Sequence, residues 1–401
     1  MFRIELEDAI SVIKENCKEI DGCEVINLLE ANGRVLGEDI YAPINNPPFN
    51  RSPLDGYALI SDDTIGASKD NPVKLKVVDE VFAGSYSNVI LQKGEAIRIM
   101  TGAKMPEGAD CVIRQEQTNE SMEVVEIYEE LKKYDNFCFK GEDIVKNDLL
   151  MNKGEVLTYV HLGILASMGF NEVKVKRKLK IALLTTGDEV CEPGKELKEG
   201  KIFDSNMHLI NLRMRDFGII PIYSEILGDD YKKIGERILE IIDDVDGIIT
   251  TGGVSVGKKD IFHEVLPFIQ AKRLFWKVNL KPGTPAMFSI LNNKPILSLS
   301  GNPFAALSTF ELLGRPLLSQ LEGNKNIDIK VVPAILDGEF LKSSKVRRFV
   351  RATYENGVAK VNSNKHSSGM LFSMIGCNAL IDIKGGSPSL SKGDKVSVIL
   401  L

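Results

Sequence analysis

The chain is poor in the residues that build metal–sulfur and zinc centres. Its six cysteines (Cys17, Cys23, Cys111, Cys138, Cys191 and Cys377) form no CxxC pair, and its four histidines show no metal-motif spacing. Reduced, isolated thiols in a cytoplasmic protein are therefore expected, not a disulfide framework or a zinc site. No apolar run is long enough to cross a bilayer. The segment Met1 to Asp8 carries acids where a signal peptide would place apolar residues. An excess of positive charge is missing too: 50 Lys+Arg face 56 Asp+Glu, for a net charge of −6. That balance argues against nucleic acid or a membrane surface as a partner, and leaves room only for a local basic site.

What remains is an ordinary globular composition, 43 % hydrophobic and 26 % charged over 401 residues. At about 150 residues per domain, that length predicts two to four domains. Residues 1–176 read as an N-terminal region, a helical and extended frame with a β-rich insertion at about 55–140. It opens with an amphipathic helix whose face carries Leu6, Ile10, Ile13 and Cys17. Residues 177–325 alternate apolar strands (181–185, 219–227, 247–250, 295–299) with helical patterns (207–217, 234–245, 264–269, 304–313). Such alternation predicts a parallel, doubly wound α/β sheet. Residues 326–401 have short alternating runs between Gly, Ser and Asn turns, and predict a small all-β domain.

In an open α/β sheet, ligands bind beyond the carboxyl ends of the strands. Three predicted strands end in Thr185-Thr-Gly-Asp-Glu189, Thr250-Thr-Gly-Gly253 and Ser300-Gly-Asn-Pro303. Glycines admit a ligand close to the backbone, and a following helix offers unpaired N–H groups to an anion. Ser205 precedes a predicted helix, as either an N-cap or a phosphate contact. Asp188, Glu189, Asp229, Asp230 and Asp260 lie in or after these loops. Singly, each is better explained by a cap or a solvated side chain. Together, beside a phosphate, they call for a hard divalent cation such as Mg²⁺. Lys277 and Lys281 lie four apart, and on an extended segment they would face one pocket. The alternative is a pair of solvated lysines. Arg347, Arg348 and Arg351 form a cationic cluster, and Lys365-His-Ser-Ser-Gly369 a polar loop, which grip an oxyanion or simply face solvent.

Taken in order, these segments resemble the MoeA/gephyrin E-domain family, the molybdopterin molybdenumtransferases. The resemblance runs through Ser52-Pro-Leu-Asp-Gly-Tyr-Ala58, Met100-Thr-Gly-Ala103, Gly141-Glu-Asp143, Thr186-Gly-Asp-Glu189 and Asp204-Ser-Asn206. It continues through Thr251-Gly-Gly-Val-Ser-Val-Gly257 with Asp260, Lys281-Pro-Gly283 and Gly301-Asn-Pro303, and so covers almost the whole chain. It implies an α/β multidomain fold: a central molybdopterin-binding domain, discontinuous N-terminal α+β and β-rich domains, and a small C-terminal β-barrel. The implied reaction joins adenylylated molybdopterin and molybdate with release of AMP, assisted by Mg²⁺.

By the same resemblance, Asp188, Glu189, Asp229 and Asp260 surround the metal and pterin phosphate, with Thr186, Gly187, Ser205, Gly252, Gly253, Ser255, Gly301, Asn302 and Pro303 lining the substrate site. Lys277 and Lys281 hold phosphate or molybdate charge, and Arg351 and Ser368 the oxyanion. Asp55, Thr101 and Asp143 come from the second subunit of a homodimer whose active sites lie at the interface. A pterin adenylyltransferase, and molybdoenzymes or their chaperones, are the implied partners. The chain departs from the family pattern at Thr284 (usually Lys), Ser300 (usually Pro) and His366-Ser367 (usually Gln-Gly), all in the expected oxyanion region. Two other readings compete with this one. A non-catalytic molybdopterin-binding or scaffold protein would tolerate loss of Asp55, Glu189 and Asp260. A molybdopterin adenylyltransferase would lack the long first zone.

Overall fold

The computed structural model describes residues 3–254, 261–341, 343, 345–361 and 366–401. Ser255 and Asp260 lie outside the described residues. The first helix, α1 (Leu6–Asn16), buries Leu6, Ala9 and Ile13. Its apolar face does not meet the rest of the N-terminal zone. It joins the core that holds Ile181, Leu183, Phe310 and Leu317, so α1 is a layer of the central domain. Ile4 fixes its start through a bridge to Val278.

The frame and its insertion follow: β1 (Cys23–Asn27), β2 (Ile40–Tyr41), β3 (Gly56–Leu59), β4 (Val73–Val81), β5 (Glu95–Ile99), β6 (Cys111–Arg114), β7 (Val124–Ile127), β8 (Leu149–Met151), α2 (Tyr159–Ser167) and β9 (Glu172–Lys176). Antiparallel pairing of β1 with β9 and of β2 with β8 closes the frame. Between them the insertion forms its own sheet, β6-β3-β5-β4-β7.

The central domain contains β10 (Ile181–Thr186), β11 (Val190–Cys191), β12 (Ile202–Phe203), α3 (Asn206–Asp216), β13 (Tyr223–Leu227), α4 (Tyr231–Ile241), β14 (Gly247–Thr251), α5 (Phe262–Phe268), β15 (Lys272–Trp276), β16 (Leu280–Lys281), β17 (Met287–Leu291), β18 (Lys294–Leu299) and α6 (Pro303–Thr309). All of β10 is buried. Ile181 and Leu183 feed one core and Ala182 and Leu184 another, the two-sided burial expected of a parallel strand covered by helices on both faces. The sheet order is β13-β10-β14-β18-β17-β15. Its first four strands are parallel, as expected. An antiparallel pair, β17 and β15, completes the edge. The strand expected over 219–227 begins only at Tyr223, because Pro221 lacks the N–H that a ladder needs.

The helix expected over 304–313 is also longer. After α6 it passes through a π-helical turn, Phe310–Gly314, into α7 (Arg315–Glu322). Pro316 has no N–H to return to the preceding turn, a recognised cause of such irregularity.

The C-terminal domain consists of β19 (Lys330–Asp337), β20 (Arg347–Glu355), β21 (Val358–Lys360), β22 (Ala379–Ile383) and β23 (Lys395–Leu400). Pairing runs β20-β21-β19-β23-β22 and returns from β22 to β20, so the sheet closes into a barrel around Leu336, Val350, Ile381 and Val398. The short strand β16 of the central domain attaches to its outside, with Leu280 opposite Arg347 and Lys281 opposite Arg348. Nearby, Arg315 ties α7 to the barrel. Its guanidinium donates to Glu311 Oε2 (3.0 Å), Ile327 O (2.8 Å), Asp328 O (2.8 Å) and Leu400 O (2.7 Å).

These buried charges set two expectations for stability. Glu311 is 1 % and Arg315 3 % exposed. Arg315→Ala leaves the buried Glu311 with Arg213 as its remaining cation and strips three carbonyl oxygens of a donor, so it should lower the unfolding free energy by about 2–4 kcal/mol in denaturant titration. Glu322 is 8 % exposed and its Oε2 has no hydrogen-bond partner among the described residues. Burial pushes its carboxyl from 4.5 up to about 7, against the opposing pull of Arg34 and Lys176. Between these values the folded chain keeps a proton that the unfolded chain has lost, so stability falls as pH rises through the window. Glu322→Gln should escape this loss. Its advantage should be absent below pH 4.5 and reach roughly 3–4 kcal/mol above pH 7, at about 1.4 kcal/mol per pKa unit.

Candidate active site

The parallel strands β10, β14 and β18 all point their carboxyl ends at one cavity of about 730 Å³, within the usual range for a ligand site. The barrel forms its far wall. Chain reversal at three adjacent strand ends brings the loops into contact, which requires glycine. A Cβ on Gly252, at φ +91°, would stand 2.3 Å from the Thr186 carbonyl oxygen. A Cβ on Gly301 would be 3.4 Å from the Cα of Gly252. Asn206 locks a fourth loop to this edge, its Nδ2 donating to Gly301 O at 2.8 Å.

Thr186, Gly187, Glu189, Ser205, Asp229, Gly252, Gly253, Lys281, Gly301, Asn302, Pro303 and Ser368 line the cavity. Ser205 makes no capping hydrogen bond with its side chain. The capping acceptor is Asp204, whose Oδ1 accepts from Met207 N at 3.0 Å. Asp230 is likewise a cap: it accepts from Lys232 N and Lys233 N at the start of α4.

Other sequence-derived candidates sit elsewhere. Asp188 is turned toward the neighbouring loop, where its Oδ1 accepts from Asp229 N at 2.9 Å. Lys277 and Lys281 do not share the face expected of an extended segment. β15 ends at Trp276, Lys277 has φ +69°, and its ammonium lies 3.8 Å from the centre of the Trp276 ring. Of the two, Lys281 reaches the cavity wall. Arg351 is fully buried instead of lining the cavity. It stacks 3.6 Å above the Phe304 ring and donates to Ser367 O (3.0 Å), Met370 O (2.6 Å) and Ser373 Oγ. It thus shapes the loop that presents Ser368.

Asp55, Thr101 and Asp143 belong to the N-terminal region, and none lines this chain's cavity. Asp55 Oδ1 accepts from Thr101 N (2.7 Å) and Thr101 Oγ1 (2.6 Å). The Thr101 hydroxyl, followed by the Thr101 backbone, holds the Asp55 carboxyl below the usual range. Asp143 Oδ2 accepts from Asn46 Nδ2 at 3.0 Å.

Sequence reasoning did not single out Asp204 or Phe203, and it took Arg348 only as one of a cluster; all three line the cavity. Asp204 lies in the Asp204-Ser-Asn206 segment, and that position before a helix was the signal that could have found it. Its buried Oδ2 and the Oδ1 of Asn206 have no partner among the described residues. No group of three or more His, Cys, Asp or Glu side chains stands ready to hold a metal among the described residues. Glu189 and Asp229 line the cavity with carboxylate oxygens, the donor type that hard divalent cations take.

Comparison with known proteins agrees with this architecture domain by domain. Residues 4–169 match the model of the MoeA N-terminal region (domain I and II), 182–320 a probable molybdopterin binding domain, and 333–401 the MoeA C-terminal region (domain IV). A molybdopterin molybdenumtransferase of Staphylococcus epidermidis is 36 % identical over 400 residues, spanning 99 % of this chain and 95 % of that one. One from Staphylococcus aureus is 34 % identical over 379 residues, 94 % of this chain and 90 % of that one. The crystal structure of a molybdopterin biosynthesis MoeA protein from Pyrococcus horikoshii superposes with a TM-score of 0.85 at 31 % identity, covering 99 % of this chain and 100 % of that one.

The contact between loops gives a sharp test. Gly252→Ala should cost about 1–3 kcal/mol through backbone strain, and should also abolish ligand binding by prising the Thr186 loop away. Gly84, at φ +88°, has nothing within 4 Å of where a Cβ would stand. Gly84→Ala should therefore show strain alone, with ligand binding intact in calorimetry.

Proposed function

The chain belongs to the MoeA family, and from that premise we propose that its cavity is where adenylylated molybdopterin meets molybdate. The enzyme is a molybdopterin molybdenumtransferase of molybdenum cofactor biosynthesis. One observation carries the proposal for the site: the cavity wall is electrically divided. Carboxylates come from the β10, α3 and α4 side (Glu189, Asp204, Asp229), and cations from the β16/β20 side (Lys281, Arg348). A substrate with a phosphoanhydride and a second, free oxyanion needs both ends.

In this reading the strand-end loops at Thr186–Gly187, Gly252–Gly253 and Gly301–Pro303 hold the pterin phosphate by close backbone approach. Glu189 and Asp229 would hold Mg²⁺, with Asp260 as a further candidate ligand. The cation supplies charge neutralisation for cleavage of the phosphoanhydride. Lys281 and Ser368 orient the oxyanion toward the dithiolene sulfurs. No protein nucleophile is required, so the chain contributes positioning and preorganised charge. AMP leaves as molybdenum is retained.

The same reading assigns Asp55, Thr101 and Asp143 to a neighbouring cavity in a homodimer, since they are exposed and line no part of their own chain's cavity. It places the enzyme in the cytoplasm, between a pterin adenylyltransferase that supplies substrate and molybdoenzymes or their chaperones that receive product.

The test is AMP release from adenylylated molybdopterin with Mg²⁺ and either molybdate or tungstate. Release should depend on the oxyanion and fall by roughly a hundredfold or more in Glu189→Gln or Asp260→Ala, the scale on which preorganised charge acts. Release that ignores the oxyanion would overturn the proposed coupling of metal insertion to cleavage. Asp55→Asn and Glu189→Gln, each inactive alone, should regain activity when mixed and allowed to exchange subunits. No recovery would remove the shared-site assignment.

A further inference from the structure

The three arginines near the start of β20 do different jobs, and only one has donors to spare. Arg347 is spent on Asp382, at 2.7 and 2.6 Å, and on Glu7. Arg351 is spent on the 367–373 loop. Arg348 makes no ion pair among the described residues, although it lines the cavity. Its guanidinium lies 5.6 Å from the centre of the Phe340 ring. Its Nε is buried without a hydrogen-bond partner among the described residues. A buried donor of this kind is normally satisfied, and the cavity that Arg348 lines is where a ligand can supply its pairing group.

Register supplies the second half of the site. Lys281 is the direct partner of Arg348 across the β16/β20 ladder, and it too makes no ion pair among the described residues. Two cations at one rung repel each other unless an anion lies between them. Thr284 brings no charge here, since its hydroxyl donates to Leu280 O at 2.6 Å. Ser368 completes the rim of the same wall with a hydroxyl.

We infer that Arg348 and Lys281 together grip a tetrahedral dianion, with Arg348 as a substrate-binding residue and Arg351 as a positioning residue for the loop bearing Ser368. The inference deepens the functional reading above and rests on it for the identity of the anion. The geometry fits either free molybdate or the phosphate of the nucleotide product, both tetrahedral oxyanions. A guanidinium offers two parallel N–H donors to such a group, and an ammonium offers one point charge.

The test is calorimetric titration of molybdate and, separately, of AMP into wild type, Arg348→Gln, Arg348→Lys and Lys281→Gln, with melting temperatures measured alongside. Arg348→Gln should weaken whichever anion sits here by roughly ten- to a hundredfold, the weight of a charge-assisted hydrogen bond. Arg348→Lys should fall between Arg348→Gln and wild type, and it serves as the decisive variant if Arg348→Gln lowers the melting temperature. The arm that loses affinity identifies the source of the anion. Wild-type affinity for both anions in Arg348→Gln and Arg348→Lys would overturn the inference, as would a wild type that binds neither. Turnover separates the two claims. Oxyanion-dependent AMP release with unaltered Arg348→Gln binding sinks the inference alone, and Arg348-dependent anion binding without turnover sinks the functional reading alone.

Discussion

Everything at the cavity depends on holding the barrel at a fixed place over the edge of the central sheet, and Arg315 is the group that does so. Its guanidinium satisfies Glu311 and three carbonyl oxygens drawn from the connecting segment and the last barrel strand. Burying an ion pair is costly, and a hydrophobic substitute often stabilises a fold as well. What the apolar substitute lacks is direction. Hydrogen bonds to Ile327, Asp328 and Leu400 carbonyls are satisfied in only one docking of barrel on sheet, so the pair fixes geometry more than it adds stability. β16 repeats the constraint at the rim, because pairing its backbone to β20 makes one wall continuous with both domains.

That docking explains why the cavity is electrically divided. Strand ends of a doubly wound sheet naturally collect caps and turn acids, and here they contribute Glu189, Asp204 and Asp229. Among the described residues, no cation from the same strand ends lines the cavity to oppose them. The positive side arrives with the barrel, through Arg348, and with β16, through Lys281. A central domain without the barrel would present only part of this arrangement: the acids, the glycine loops and a single lysine.

Much of the fold was legible where periodicity has one meaning. An apolar run such as Ile181 to Thr185 has two buried faces, and α4 shows Ile234, Ile238 and Ile241 on one side with Asp230 as its cap. The rest was hidden for definite reasons. Amphipathicity says that α1 has a partner but not which, and the partner is the central core over a hundred and sixty residues away in sequence. β17 and β15 carry the same apolar pattern whether parallel or antiparallel. The Lys277 expectation failed because it assumed an extended backbone through a residue at φ +69°. The arginine cluster was visible, but its division depends on which strand face meets which domain. Alternation along β20 turns Arg347, Phe349 and Arg351 toward Glu7, the central core and Phe304, and turns Arg348 toward Phe340 of the barrel.

The N-terminal residues pose the opposite problem, since they look finished and yet face nothing in their own chain's cavity. Asp55 is held ionised by the Thr101 hydroxyl and backbone, a small anionic platform on an exposed loop. A local turn needs no such arrangement, because the Asp55 side chain reaches across 46 positions to Thr101. An exposed carboxylate with fixed orientation gains little for its own fold. Its orientation acquires a purpose only if a second surface brings charge to it. The electrically divided cavity of another copy, with cations on one wall, has the complementary chemistry. Under the shared-site proposal, the long first zone would complete the cavity of a second copy, and that would be the use of the sequence beyond the pterin-binding sheet.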